Sequence, residues 1–200
     1  MIEGLFVVLE GVDGAGTTTH TGLLARALRK KGLPITTTRE PSDGPIGMLI
    51  RQILTGRVVV PGISGNRPSS WTTMALLFGA DRMDHLEATV HPNLMDGVTV
   101  ISDRYDYSSV AYQSVTGGGE PETVQWIREI NRHARRPDLT IVLDVDPATS
   151  AKRRNGCRIT EVRPDPTNAP TAVATAAAIS SERPSVRSVA STSDSELTSK

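Results

Sequence analysis

The sequence predicts an α/β fold in which a parallel sheet is flanked by helices. Three observations carry that prediction. Short apolar or β-branched runs alternate with longer stretches of helical period. The first run opens straight into a glycine-rich turn and then a helix. Polar and charged residues follow the runs immediately, at the carboxyl ends where parallel sheets gather their ligands.

In order, residues 5–9 (LFVVL) read as a short buried strand, and the turn after them has the spacing Gly11-x4-Gly16-x-Thr18. This is a phosphate-binding loop, or P-loop, in which glycines let phosphate oxygens approach backbone N–H groups. A helix starting near Thr17 adds its positive end. Leu23, Leu24, Ala27 and Leu28 keep helical spacing, and Gly32 stops the helix. Residues 35–38 form a second strand running into Arg39-Glu40-Pro41, where proline ends regular pairing. Residues 45–54 read as a short helix, and residues 57–70, rich in Gly and Pro, as a loop. A long helix is expected over 71–90, with Met74, Leu77, Phe78 and Asp81 on one face. A third strand at 98–101 leads to Asp103-Arg104-Tyr105. Helices follow at 108–114 and 121–135, the second with proline in its first turn, and a fourth strand at 139–145.

The bulk properties restrict the function. Two hundred residues make one domain with a proper core the expectation. A formal net charge of zero argues against a broad basic field, so no nucleic-acid partner is expected. No stretch is apolar enough to span a membrane, and residues 1–20 lack the plan of a signal peptide. A cytoplasmic protein without a membrane partner is therefore expected. Cys157 is the one cysteine, which leaves no disulfide framework or thiolate metal site, and it reads as a bystander thiol.

Several motifs recur together: Glu10-Gly11-Val12-Asp13-Gly14-Ala15-Gly16, Arg39-Glu40-Pro41, residues 76–82 (LLFGADR), Asp103-Arg104-Tyr105, Ala111-Tyr112-Gln113 and Pro137-Asp138-Leu139. In order and spacing, over roughly residues 3–155, they resemble the thymidylate kinase family. The resemblance implies a P-loop nucleoside-monophosphate-kinase fold. The implied reaction moves the γ-phosphoryl group of ATP to dTMP, with Mg²⁺, in a homodimer packed through helices. Gly11, Val12, Asp13, Gly14, Ala15, Gly16, Thr17 and Thr18 would bind ATP. Arg39 and Arg104 would clamp the acceptor phosphate, a task suited to planar guanidinium forks. Asp13 would lie by the sugar 3′-hydroxyl, Phe78 and Arg82 would read the base, and Tyr112 would pack by the deoxyribose. Ser109 and Gln113 are base neighbours in this reading, while Thr18 and Asp103 would work with Mg²⁺. Glu40 belongs either to that polar shell or to the support of Arg39.

Two departures stand against the resemblance. Thr17 occupies the place of the P-loop lysine and is too short and uncharged to replace it. Compensation is expected from Arg153, Arg154 and Arg158, in the region where the family carries an arginine-bearing lid; the alternative is that these are solvated surface charges. Arg154 and Arg158 are therefore set beside Arg39, Asp103 and Arg104 as catalytic candidates. The second departure is residues 162–200, dominated by Ala, Ser, Thr and Pro, without an aromatic residue and with four basic against four acidic side chains. The expected organisation is a kinase domain over 1–161, with a lid remnant at about 148–161, and a low-complexity disordered tail over 162–200 that is not the family's continuation. The functional alternative is a catalytically weak or inactive nucleotide-binding paralogue.

Overall fold

The structure, a computed structural model, describes the backbone of residues 3–156 and side chains as far as Arg153. Cys157, Arg158, the end of the expected lid and the expected tail at 162–200 lie outside the described residues, as does the side chain of Arg154.

β1 (Phe6–Gly11) explains why its sequence lacks polar alternation. Phe6 and Val8 face one core with Leu86, Val90, Leu94, Val100, Tyr105 and Ala134. Val7 and Leu9 face another with Ala25 and Ile101. A parallel strand covered on both sides needs apolar residues at every position. The expected parallel sheet forms in the order β2-β3-β1-β4, with β2 (Ile35–Arg39), β3 (Thr99–Asp103) and β4 (Leu139–Leu143) all parallel to their neighbours. In register, Arg39 lies beside Asp103, Leu9 beside Asp103 and Gly11 beside Leu143. Four strands thus end at one edge.

The helices are α1 (Thr17–Lys30), α2 (Pro45–Leu54), α3 (Trp71–His85), α4 (His91–Met95), α5 (Asp106–Thr116), α6 (Pro121–Ile130) and α7 (Pro147–Gly156). A π-helical turn, Leu86–Val90, joins α3 to α4, so the long helix foreseen over 71–90 continues to Met95. Its buried line also differs from the expected face. Ala75, Gly79, Arg82 and Leu86 are buried at helical spacing, whereas Met74, Leu77 and Phe78 are only half-buried and Asp81 is buried. Small residues decide this, since Ala75 and Gly79 let α3 lie close to α5 and α6. A Cβ on Gly79 would already touch the Ile130 carbonyl at 3.8 Å.

Other boundaries shift for local reasons. β3 continues through Ser102 and Asp103, because both stay in the ladders on either side, Ser102 beside Val8 and Thr38 and Asp103 beside Leu9 and Arg39. α6 stops at Ile130, where the Asn131 side-chain amide turns back to donate to the Ile127 carbonyl at 2.7 Å. The segment 57–70 holds one antiparallel bridge, Val60 to Arg67.

Candidate functional site

The P-loop forms where the sequence places it. The Ala15 N–H closes a tight turn on the Val12 carbonyl at 2.9 Å. Gly14 and Gly16 take φ values of 85° and 95°, in the left-handed region that glycine enters without a steric penalty. Gly16 is also the N-cap of α1, and no side chain caps that helix end. Its free N–H groups and dipole make an anion cradle. Thr17 is buried beneath the loop, its Cγ2 3.3 Å from where a Cβ on Gly11 would lie. It supplies no cation.

Thr18 is exposed, and its hydroxyl donates to Asp103 Oδ2. The other carboxylate oxygen, Asp103 Oδ1, is buried without a hydrogen-bond partner among the described residues. A hydroxyl and an orphaned carboxylate oxygen at the P-loop are hard oxygen donors, and Mg²⁺ is commonly held by one or two such groups together with substrate phosphates. The residues present therefore fit this cation.

A second cluster joins Asp13, Arg104 and Tyr112. Arg104 donates from Nη2 to Asp13 Oδ1 at 2.6 Å, and from Nη1 to the Gly11 carbonyl at 2.8 Å. Its guanidinium carbon lies over the Tyr112 ring, 5.6 Å from the ring centroid. The Tyr112 hydroxyl donates to the same Asp13 oxygen at 2.9 Å. Among the described residues Arg104 is the one non-glycine residue with a positive φ, 74°. Burial opposes its charge, but Tyr112, Asp13, Glu10 and Asp103 outweigh that effect and hold the guanidinium above its ordinary value. Burial pushes the Tyr112 phenol up to about 12.

Arg82 sits in a closed network rather than on an open face. It is 1 % exposed and donates from Nε and Nη2 to Glu40 Oε2 at 3.0 and 2.6 Å. Nη2 also reaches Ser109 Oγ at 2.9 Å, and Nη1 donates to Asn131 Oδ1. The guanidinium lies 5.0 Å from the Tyr105 ring centroid. Of the two roles the sequence leaves open for Glu40, neither matches this bond: its carboxylate supports Arg82, not Arg39. Arg39 is exposed at the end of β2 and donates to Asp43 Oδ1 at 2.7 Å, and that hydrogen bond holds the Asp43 carboxyl below its ordinary value. Phe78 is half-buried on α3, one turn before Arg82, and the Oε1 of the buried Gln113 has no hydrogen-bond partner among the described residues. Arg153 is exposed on α7.

Three supporting residues escaped the sequence reading. Asn131 needs the α6 terminus to place it. Asp81 accepts from the Ser42 N–H at 2.7 Å and its hydroxyl at 2.5 Å, which pins the segment after the cis Glu40–Pro41 peptide. Glu10 accepts from the N–H groups of Tyr105 and Ser108 at 2.9 and 3.2 Å and from the Ser108 hydroxyl at 2.6 Å. Burial raises its carboxyl to about 7, against the lowering pull of Ser108 and Arg104. A lone carboxylate ending an apolar run was the available signal.

Comparison with known proteins gives concordant results. A family model described as thymidylate kinase matches residues 9–165. A probable thymidylate kinase of Thermococcus gammatolerans is 46% identical over 154 residues, 76% of this chain and 71% of that protein. The thymidylate kinase of Symbiobacterium thermophilum is 41% identical over 152 residues, 76% of this chain and 68% of its own length. Among solved structures, the thymidylate kinase of Candida albicans superposes with a TM-score of 0.63 at 27% identity, covering 76% of this chain and 68% of the other.

Proposed function

The chain belongs to the thymidylate kinase family, and from that premise we propose how its residues divide the work of an ATP-dependent kinase acting on dTMP. An oxygen of the dTMP phosphate attacks the γ-phosphorus of ATP. The bond from that phosphorus to the β-bridging oxygen breaks, and dTDP and ADP result. Such transfers require little covalent help, so positioning and charge stabilisation do most of the catalysis. The observation that carries the reading is the meeting of Asp13, Arg104 and Tyr112 at the sheet edge beside the Thr18–Asp103 pair.

In this reading the backbone N–H groups of residues 11–18 hold the ATP phosphates. Arg39 and Arg104 receive the acceptor phosphate, exchanging part of their contacts with Asp43 and Asp13 for phosphate oxygens. Asp13 faces the sugar hydroxyl, and the Tyr112 ring borders the deoxyribose. Phe78 stacks on the base, with Gln113 Oε1 as an unspent acceptor for its polar edge and Arg82 and Ser109 behind it. Thr18 and Asp103 would hold Mg²⁺, which when bound neutralises the negative charge on the ATP phosphates. Arg154 and Arg158 would supply the positive charge that Thr17 does not. The reading extends to a homodimer packed through helices and to action in the cytoplasm. Among the described residues no helix is long and apolar enough to cross a membrane.

The test is ADP release with ATP and Mg²⁺, with and without dTMP, by the natural chain and by Thr17→Lys. Turnover that depends on dTMP is expected in both. Restoring the missing electrostatic contact raises the rate by up to about 10²–10³-fold, less whatever the lid arginines already supply. A folded Thr17→Lys protein whose ADP release ignores dTMP would overturn the reading.

A further inference from the structure

We infer that Glu10 is a positioning residue for the acceptor half of the site, a buried carboxylate on β1 that caps α5 and thereby aims Arg104 and Tyr112. The N-cap of α5 is Tyr105, whose side chain makes no capping bond. Glu10 Oε1 takes that role from another element, accepting the N–H groups of Tyr105 at 2.9 Å and of Ser108 at 3.2 Å. Ser108 is the third residue of α5, the position whose N–H an N-cap side chain ordinarily satisfies. Glu10 Oε2 accepts the Ser108 hydroxyl at 2.6 Å, so both carboxylate oxygens are engaged at one helix end. A negative group there is also favoured by the helix dipole.

The consequence reaches both acceptor-side residues. Arg104 immediately precedes the capped helix and holds the left-handed φ of 74°, a conformation that a side chain opposes and the surroundings must maintain. Its Nη1 reaches Ser108 Oγ at 3.3 Å, the hydroxyl that Glu10 fixes. Tyr112 lies one turn beyond Ser108 on the same helix face, and its hydroxyl meets Arg104 at Asp13. Glu10 is 4 % exposed and its hydrogen bonds point into the protein, so it touches no substrate and acts through these neighbours.

The inference rests on the reading that Arg104 and Tyr112 serve dTMP, and calorimetric titration separates the two claims. dTMP, and separately ATP with Mg²⁺, are titrated into the natural chain, Glu10→Ala and Glu10→Gln. Binding of dTMP by the natural chain supports the acceptor reading, and its absence overturns that reading and this inference together. Glu10→Ala is expected to weaken dTMP binding by roughly tenfold or more, the scale of losing charge-assisted hydrogen bonds, with ATP binding changed by less than about threefold. Glu10→Gln keeps an oxygen acceptor for the two N–H groups and is expected to restore most of the dTMP affinity, which a general loss of stability would not predict. Equal dTMP binding by Glu10→Ala and the natural chain overturns the inference. So does a parallel loss of ATP and dTMP, which would assign Glu10 to the P-loop. Should Glu10→Ala fail to fold, Ser108→Ala takes its place; it is expected to weaken dTMP binding selectively, and unchanged dTMP binding in that variant also overturns the inference.

Discussion

Replacing Arg82 with alanine tests whether the buried network under α3 holds the fold. The side chain is 1 % exposed, and its removal leaves Glu40, also buried, facing the cavity with His85 Nδ1 at 3.4 Å as its remaining close side-chain partner among the described residues. Asn131 Oδ1 and Ser109 Oγ lose the same donor. Burial opposes the Arg82 charge, but Glu40 and Asp106 outweigh it and hold the guanidinium above its ordinary value, so an ion pair is what breaks. Removing one partner of a buried pair costs about 3–5 kcal/mol, because the other charge stays desolvated. For a domain of this size that corresponds to a fall in melting temperature of roughly 6–20 °C. Calorimetric melting and urea unfolding measure it. The double variant Glu40→Gln/Arg82→Met removes both charges and keeps the volume, so it is expected to recover much of the loss. A loss below about 1 kcal/mol in Arg82→Ala would show that the pair is as weak as a surface one and would refute the reasoning.

Two further outcomes concern single carboxylates. Glu10 has its pKa raised from 4.5 to about 7 by burial, so between those values the folded chain binds the proton more tightly than the unfolded one. Its contribution to stability is present below the unfolded value and is lost as pH rises through about 7, on the order of 3 kcal/mol in all. Urea midpoints of the natural chain minus Glu10→Gln should therefore fall between about pH 5 and about pH 8, and a flat difference would contradict the burial argument. Asp103→Asn is expected to lower turnover by about 10²-fold or more and to raise the Mg²⁺ concentration needed, and an unchanged Mg²⁺ titration would remove Asp103 from the metal site.

What was legible in the sequence follows from the range of the interactions involved. β1 and its loop could be read directly, because an unbroken apolar run followed by Gly11, Gly14 and Gly16 reflects local backbone needs. The parallel sheet followed from the alternation of elements, and its carboxyl edge from where Arg39 and Asp103 fall. The buried face of α3 was not legible. Apolar spacing favours Met74, Leu77 and Phe78, but close packing selects the line of Ala75 and Gly79, which depends on α5 and α6, helices that come later in the chain. Arg82 could be found as an important arginine, yet its partners Glu40, Ser109 and Asn131 come from three separate parts of the chain. Glu10 escaped the reading although it ends the apolar run as a lone carboxylate, because its task depends on β3 ending beside β1.

Under the proposed assignment of the site, the end of β1 gives the two halves of the reaction a common ruler. Within four consecutive residues the chain carries the carboxylate that caps α5, the first glycine of the phosphate cradle and, at Asp13, the group that meets Arg104 and Tyr112. The spacing between donor and acceptor is therefore written largely in covalent bonds. Substitutions in the surrounding helices can tilt what approaches the site, but a one-residue insertion or deletion between Glu10 and Asp13 would change the distance across which the phosphoryl group must travel.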